Sequence, residues 1–150
     1  MNDKTKRIII GIIITICIVL VLVYFLGNRS VKEGTISGNH YKVGEMKMAC
    51  GGSDGHGDYY ERGYFITKNA DTGKVVCNVS LGTNGIDLLV RSIKEDKEGR
   101  IVITIKERTK SEKALNSWPA CPNIDITFDK EPVGIVVKNT KNDTFIQFKK

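Results

Sequence analysis

Apolar and polar residues alternate along several short stretches of the chain from residue 40 onward. The apolar positions of three stretches are Val75, Cys77, Val79 and Leu81; Ile101, Ile103 and Ile105; and Ile124, Ile126 and Phe128. A period of two is typical of β-strands with one buried face. Turn-forming residues separate the stretches, and together they predict strands at 41–49, 63–67, 74–81, 87–94, 100–107, 124–128, 133–138 and 144–148. This spacing predicts an all-β fold, an antiparallel sandwich or barrel-like domain.

The N-terminal part of the chain follows a different pattern. Residues 8–26 are nineteen in a row without a charge, and as a helix they would span roughly 28 Å, close to the thickness of a bilayer core. A cleaved signal peptide is the alternative, but its apolar core is normally shorter and ends at small residues. The sequence therefore favours an uncleaved transmembrane anchor at 8–26, after a tail at 1–7 and before a Gly-rich linker at 27–39 and a β-domain at 40–150.

Charge indicates the orientation of this anchor. Lys4, Lys6 and Arg7 crowd the short N-terminal tail, and positive flanks usually stay in the cytoplasm. The sequence thus predicts a single-pass cell-membrane protein with a cytoplasmic N-terminus and an extracytoplasmic C-terminal domain.

Half of the net charge of +6 lies in residues 1–29. The domain is only mildly basic, which argues against a nucleic-acid partner.

The β-domain contains three of the four cysteines, Cys50, Cys77 and Cys121. In an oxidising compartment two of them could pair and one would be left over, and the sequence does not choose among the three pairings. The stronger interpretation is that all three are reduced core residues. Their spacing does not match the C-x-x-C pattern of zinc sites.

The segment 51–63 is rich in glycine and holds four potential ligands, Asp54, His56, Asp58 and Glu61. Oxygen ligands on such a loop could bind Ca²⁺, although their order is not that of an EF-hand and histidine suits a hard cation poorly. The favoured interpretation is a metal-free turn between strands. The alternative is a cation- or small-ligand-binding envelope domain that uses residues 54–61.

Motifs for catalysis are lacking in the sequence. It contains no P-loop, no GxGxxG and no G-x-S-x-G elbow, and no motif surrounds its two histidines. A Cys–His nucleophile pair stays open, since its members need not be neighbours in sequence. We therefore predict a protein that is not an enzyme and has no cofactor.

Part of the chain resembles a known family. The features that carry the resemblance are the 79–85 segment Val-Ser-Leu-Gly-Thr-Asn-Gly, strands at 89–93 and 101–107, Trp118-Pro119-Ala120-Cys121 and the final part, 126–139. Over residues 75–139 they resemble the PrcB-type C-terminal domain family, bacterial extracytoplasmic β-domains named for a protein that associates with a secreted protease. The family loop commonly reads Thr-Gly-Gly-Tyr, whereas this chain has Thr-Asn-Gly-Ile at 83–86.

Loops on a rigid β-scaffold are where binding residues concentrate. We expect Thr83, Asn84 and Gly85 to form a protein-binding edge together with Trp118 and Pro119. The alternative for Trp118 is packing in the core. The leading hypothesis is a membrane-anchored protein-binding domain that acts as a partner or modulator of an envelope or secreted protease. A structural envelope protein without a dedicated site is a further alternative.

Overall fold

A computed structural model of the chain describes residues 2–49, 61–111 and 121–148. Its first element is helix α1, Asp3–Asn28. The large apolar side chains from Ile8 to Leu26 are 41–70% exposed, so this apolar surface is not buried against the rest of the protein. Within it, Ile8–Gly27 is long and apolar enough to cross a membrane. The prediction of an apolar N-terminal helix is therefore confirmed.

Ten strands follow in the part of the chain that the structure describes. They are β1 Glu33–Ile36, β2 Asn39–Val43, β3 Lys47–Met48, β4 Arg62–Lys68, β5 Val75–Leu81, β6 Gly85–Glu95, β7 Ile101–Thr109, β8 Pro122–Phe128, β9 Ile135–Asn139 and β10 Ile146–Gln147. The mostly-β prediction is confirmed. β2 and β3 together replace the single strand expected at 41–49, and β1 was not expected.

The strands form two open sheets. The larger has the order β1-β2-β8-β5-β4-β10, with β3 also paired to β8, and the smaller has the order β6-β7-β9. Pairing is antiparallel except between β10 and β4 and between β7 and β9. The barrel alternative is wrong, because neither sheet closes on itself.

Side chains from both sheets share one hydrophobic core. Val79 of β5, Ile126 of β8 and Ile103 of β7 are completely buried. Each such side chain contributes about 1.5–3 kcal/mol when it leaves water. The period-two alternation of the sequence thus identifies the buried face of these strands, and burial is what fixes their register.

The segment expected to be a linker, 27–39, contains β1. Gly34 of this strand lies against the ring of Tyr41 on β2, and a Cβ at Gly34 would be 2.5 Å from the Tyr41 hydroxyl oxygen. Just before β1, the backbone N–H of Val31 donates to the carbonyl oxygen of Val90 on β6 at 2.8 Å. The chain therefore passes from α1 into the β-domain through residues that are themselves bonded to it.

Candidate functional site

The predicted binding residues Thr83, Asn84 and Gly85 lie at the connection from β5 to β6. A single 3₁₀ turn, Gly82–Asn84, makes this connection. Gly82 has a positive φ of 65°, a conformation that favours glycine, and its N–H donates to the hydroxyl of Ser80 at 3.1 Å. Asn84 is exposed and Thr83 is half-buried, so both present side-chain atoms to solvent.

Gly85 fixes the position of this turn. Its backbone is buried, and an added Cβ would lie 2.5 Å from Cβ of Leu81 and 2.6 Å from Cγ of Pro122. Neither atom is the end of a flexible side chain. The glycine therefore allows the start of β6 to lie directly against the start of β8.

Both ends of the segment that carries Trp118 and Pro119 lie beside the same turn. The N–H of Lys110, just past the end of β7, donates to the carbonyl oxygen of Asn84 at 2.8 Å. At the other end, Pro122 packs against Gly85. Trp118 and Pro119 themselves lie outside the described residues, so their part in a binding edge stays a prediction. We call the 82–85 turn, residues 110–111 and residues 121–122 the loop end of the domain.

A buried amide next to the loop end forms hydrogen bonds that support it. Asn123 is 3% exposed, and its Nδ2 donates to the carbonyl oxygens of Ala49 at 3.2 Å and of Cys121 at 3.1 Å. Its Oδ1 lies 3.5 Å from Nδ2 of Asn78, which also donates to the Asp125 carboxylate at 2.7 Å. Sequence reasoning missed Asn123, and the available signal was a polar residue directly before the Ile124 strand pattern.

A second polar cluster joins the two sheets. Arg62 of β4 forms an ion pair with Glu107 of β7 at 2.9 Å, and the amide of Asn139 on β9 donates to the same carboxylate oxygen at 2.8 Å. The Arg62 guanidinium also lies 4.2 Å from the ring centroid of Phe145. Glu107, only 18% exposed at its side chain, is therefore a structural partner rather than part of a solvated charged edge.

The cysteines differ in state. Cys121 is disulfide-bonded, whereas Cys17 and Cys77 carry free thiols; Cys50 lies outside the described residues. The interpretation that all three cysteines of the domain are reduced is thus wrong. Burial raises the pKa of the Cys77 thiol far above its ordinary value, and without thiolate character this cysteine is not suited to act as a nucleophile.

Three of the four alternative metal ligands, Asp54, His56 and Asp58, lie outside the described residues. Glu61 is exposed directly before β4. Among residues 2–49, 61–111 and 121–148, no group of three histidine, cysteine or acidic side chains could hold a metal ion. The loop alternative therefore stays a prediction of the sequence.

The loop end combines an exposed turn with a firm local support. Its exposed atoms belong to the 82–85 turn, which is held in place by the packing of Gly85. The chain on either side continues into the segment that carries Trp118. Comparisons with protein-family models, with curated proteins and with solved structures gave no match to this chain.

Proposed function

We propose that this protein is a membrane-anchored β-sandwich domain that binds a partner protein through its loop end. The observation that carries the proposal is the contact of Gly85 with Pro122 together with the bond from the Lys110 N–H to the Asn84 carbonyl oxygen, which hold the exposed turn beside the two residues that flank the 112–120 segment. A binding surface that is rigid before association loses less entropy when the partner arrives. The shared core of the two sheets supports the sandwich architecture.

The proposed location is the outer face of the cell membrane. Helix α1 supplies a segment of sufficient length, and the basic residues at positions 4, 6 and 7 favour a cytoplasmic N-terminus. The disulfide at Cys121 fits this location, since disulfides persist in oxidising compartments. Protease added to intact spheroplasts should digest a C-terminal epitope, and protection of the epitope until lysis would contradict this orientation.

The proposed partner is an envelope or secreted protease, or a subunit associated with one. This class rests on the resemblance of residues 75–139 to the PrcB-type domains. In addition, the turn tip at Asn84 is exposed and polar, and such a tip can form hydrogen bonds with the surface of a partner protein.

Site-specific photocrosslinking tests the proposal. A photoreactive residue replaces Asn84 in the full chain, in its native membrane, and a matched position at exposed Lys141 serves as control. We expect a discrete protein adduct from position 84, absent from position 141 and lost when Trp118→Ala is added. Adducts of equal yield at both positions, or none at position 84, would contradict binding through the loop end. A partner without any link to proteolysis would contradict the partner class only.

A further inference from the structure

The C-terminal end of α1 is fastened to the β-domain by two basic side chains. The Arg91 guanidinium on β6 donates to the carbonyl oxygens of Leu26 at 3.2 Å and Arg29 at 2.8 Å. The ammonium of Lys106 on β7 donates to the carbonyl oxygen of Gly27 at 3.2 Å. Carbonyls at a helix C-terminus lack partners within the helix and attract cations. These bonds hold two strands of the domain at the level where the apolar segment ends.

An open cavity of about 710 Å³ lies at this junction. Its walls include the basic residues Arg29, Lys32 and Arg91, the apolar Leu26 and one acidic residue, Glu33. Arg29 and Lys32 are exposed. Ion pairs in the described part of the chain involve other residues, so these three cations have no carboxylate within 4 Å there. The cavity thus combines excess positive charge with an apolar margin.

We propose that this cavity binds the phosphate headgroup of an anionic phospholipid in the leaflet at the C-terminal end of α1. The inference rests on the proposed membrane anchoring. At the end of a membrane span, the group that lies level with the last apolar residue is a lipid phosphate. Guanidinium groups bind phosphate oxygens with two parallel hydrogen bonds, and ammonium groups add a point charge.

The apolar margin favours a lipid over a free phosphate ion. Leu26 lines the cavity and is 64% exposed, and an acyl chain would cover it while the headgroup occupies the basic wall. The domain would then be held against the bilayer both by its anchor and by lipid. A basic residue near an anionic surface strengthens binding by about fivefold.

Electron spin resonance of spin-labelled lipids tests this proposal on the full chain reconstituted in phosphatidylcholine bilayers. All samples carry Lys4→Gln, Lys6→Gln and Arg7→Gln, so that basic residues at the opposite end of the helix do not contribute. We expect spin-labelled phosphatidylglycerol to associate with the protein at least about twofold more strongly than labelled phosphatidylcholine. Arg29→Gln with Lys32→Gln should abolish this preference. Lys130→Gln with Lys141→Gln, an equal change of charge outside the cavity walls, should leave it intact.

The outcomes distinguish failure of the headgroup site from failure of the proposed membrane anchoring. If no motionally restricted lipid is detected, α1 does not span the bilayer and the anchoring itself fails. If restricted lipid is present but shows no phosphatidylglycerol preference, or a preference that survives Arg29→Gln with Lys32→Gln, the headgroup site is refuted while the anchor stands. Inorganic phosphate should not compete when ionic strength is matched with chloride. Effective competition would assign the cavity to free phosphate and refute the lipid assignment.

Discussion

Replacing Gly85 with alanine should destabilise the β-domain and displace the proposed binding turn. The new Cβ would meet Cβ of Leu81 at 2.5 Å and Cγ and Cδ of Pro122 at 2.6 and 2.8 Å. Carbon atoms prefer separations of about 3.5–4.0 Å, so each contact must lengthen by roughly 1 Å. None of these atoms can rotate away, and the backbone of β6 or β8 has to move instead.

The expected magnitude combines two opposing effects. Overpacking of this kind costs about 1–3 kcal/mol. The φ of Gly85 is −75°, which alanine adopts without strain. Because alanine has fewer conformations than glycine in the unfolded chain, the substitution also stabilises the folded state by about 0.4–1 kcal/mol. We therefore expect a net loss of about 1–2 kcal/mol in the free energy of unfolding.

Urea denaturation of the full chain in detergent micelles, followed by the far-ultraviolet circular dichroism of the strands, measures this loss. Asn84→Ala is the matched control, because it alters an exposed side chain of the same turn and should change the free energy of unfolding by no more than about 0.5 kcal/mol. Gly85→Ala should lower the urea midpoint with an unchanged slope. A Gly85→Ala variant as stable as the Asn84→Ala control would refute the close packing on which the site is built.

Three further predictions concern the rest of the domain. Gly63→Ala should release β10, because its Cβ would overlap the Phe148 ring and lie 2.6 Å from the carbonyl oxygen of Ile146; faster amide exchange at 146–148 would show the release, and unchanged exchange would count against the pairing. Burial raises the pKa of Cys77 above its ordinary value of 9.0, so the folded state holds this proton more tightly and the free energy of unfolding should fall above about pH 9, by up to about 1.4 kcal/mol per pH unit. Cys77→Ala should remove that slope, and an equal slope in both proteins would exclude the thiol as its source. Trp118→Ala should change the free energy of unfolding by less than about 0.5 kcal/mol if the indole binds a partner, whereas a loss of about 3–5 kcal/mol in urea denaturation would place it in the core.

The strands that sequence predicts best are those whose burial alternates along most of their length. β5, expected at 74–81 and observed at Val75–Leu81, buries Val75, Cys77 and Val79 as the alternation requires. β1 was missed because Gly34 weakens the strand pattern and resembles a linker residue. Its place in the sheet depends on the Tyr41 ring of the next strand, which covers the glycine. Such a contact between strands is not encoded in the local pattern of four residues.

The candidate site was foreseen only where local turn chemistry reveals it. The glycines around Thr83 and Asn84 indicate a tight connection, and the structure has one there. Its support could not be foreseen, because Asn123 bonds to the carbonyl oxygen of Ala49 and lies beside the amide of Asn78, and both residues arrive from other parts of the chain. In the same way Glu107, which belongs to a charged stretch in the sequence, is removed from solvent by partners on other strands.

The short passage from α1 to β1 limits where a partner can be met. Only four residues, 29–32, separate the helix from the first strand. Fully extended, these four would reach about 14 Å, whereas the thirteen-residue linker expected at 27–39 would have reached roughly 45 Å. If α1 spans the membrane, the domain cannot sweep a large volume of the aqueous space. Every encounter then takes place within about 35 Å of the bilayer, the diameter of a domain of this size. Lateral diffusion of the anchored chain would set the encounter rate with a membrane-bound partner, and a soluble partner would have to come to the surface to be captured.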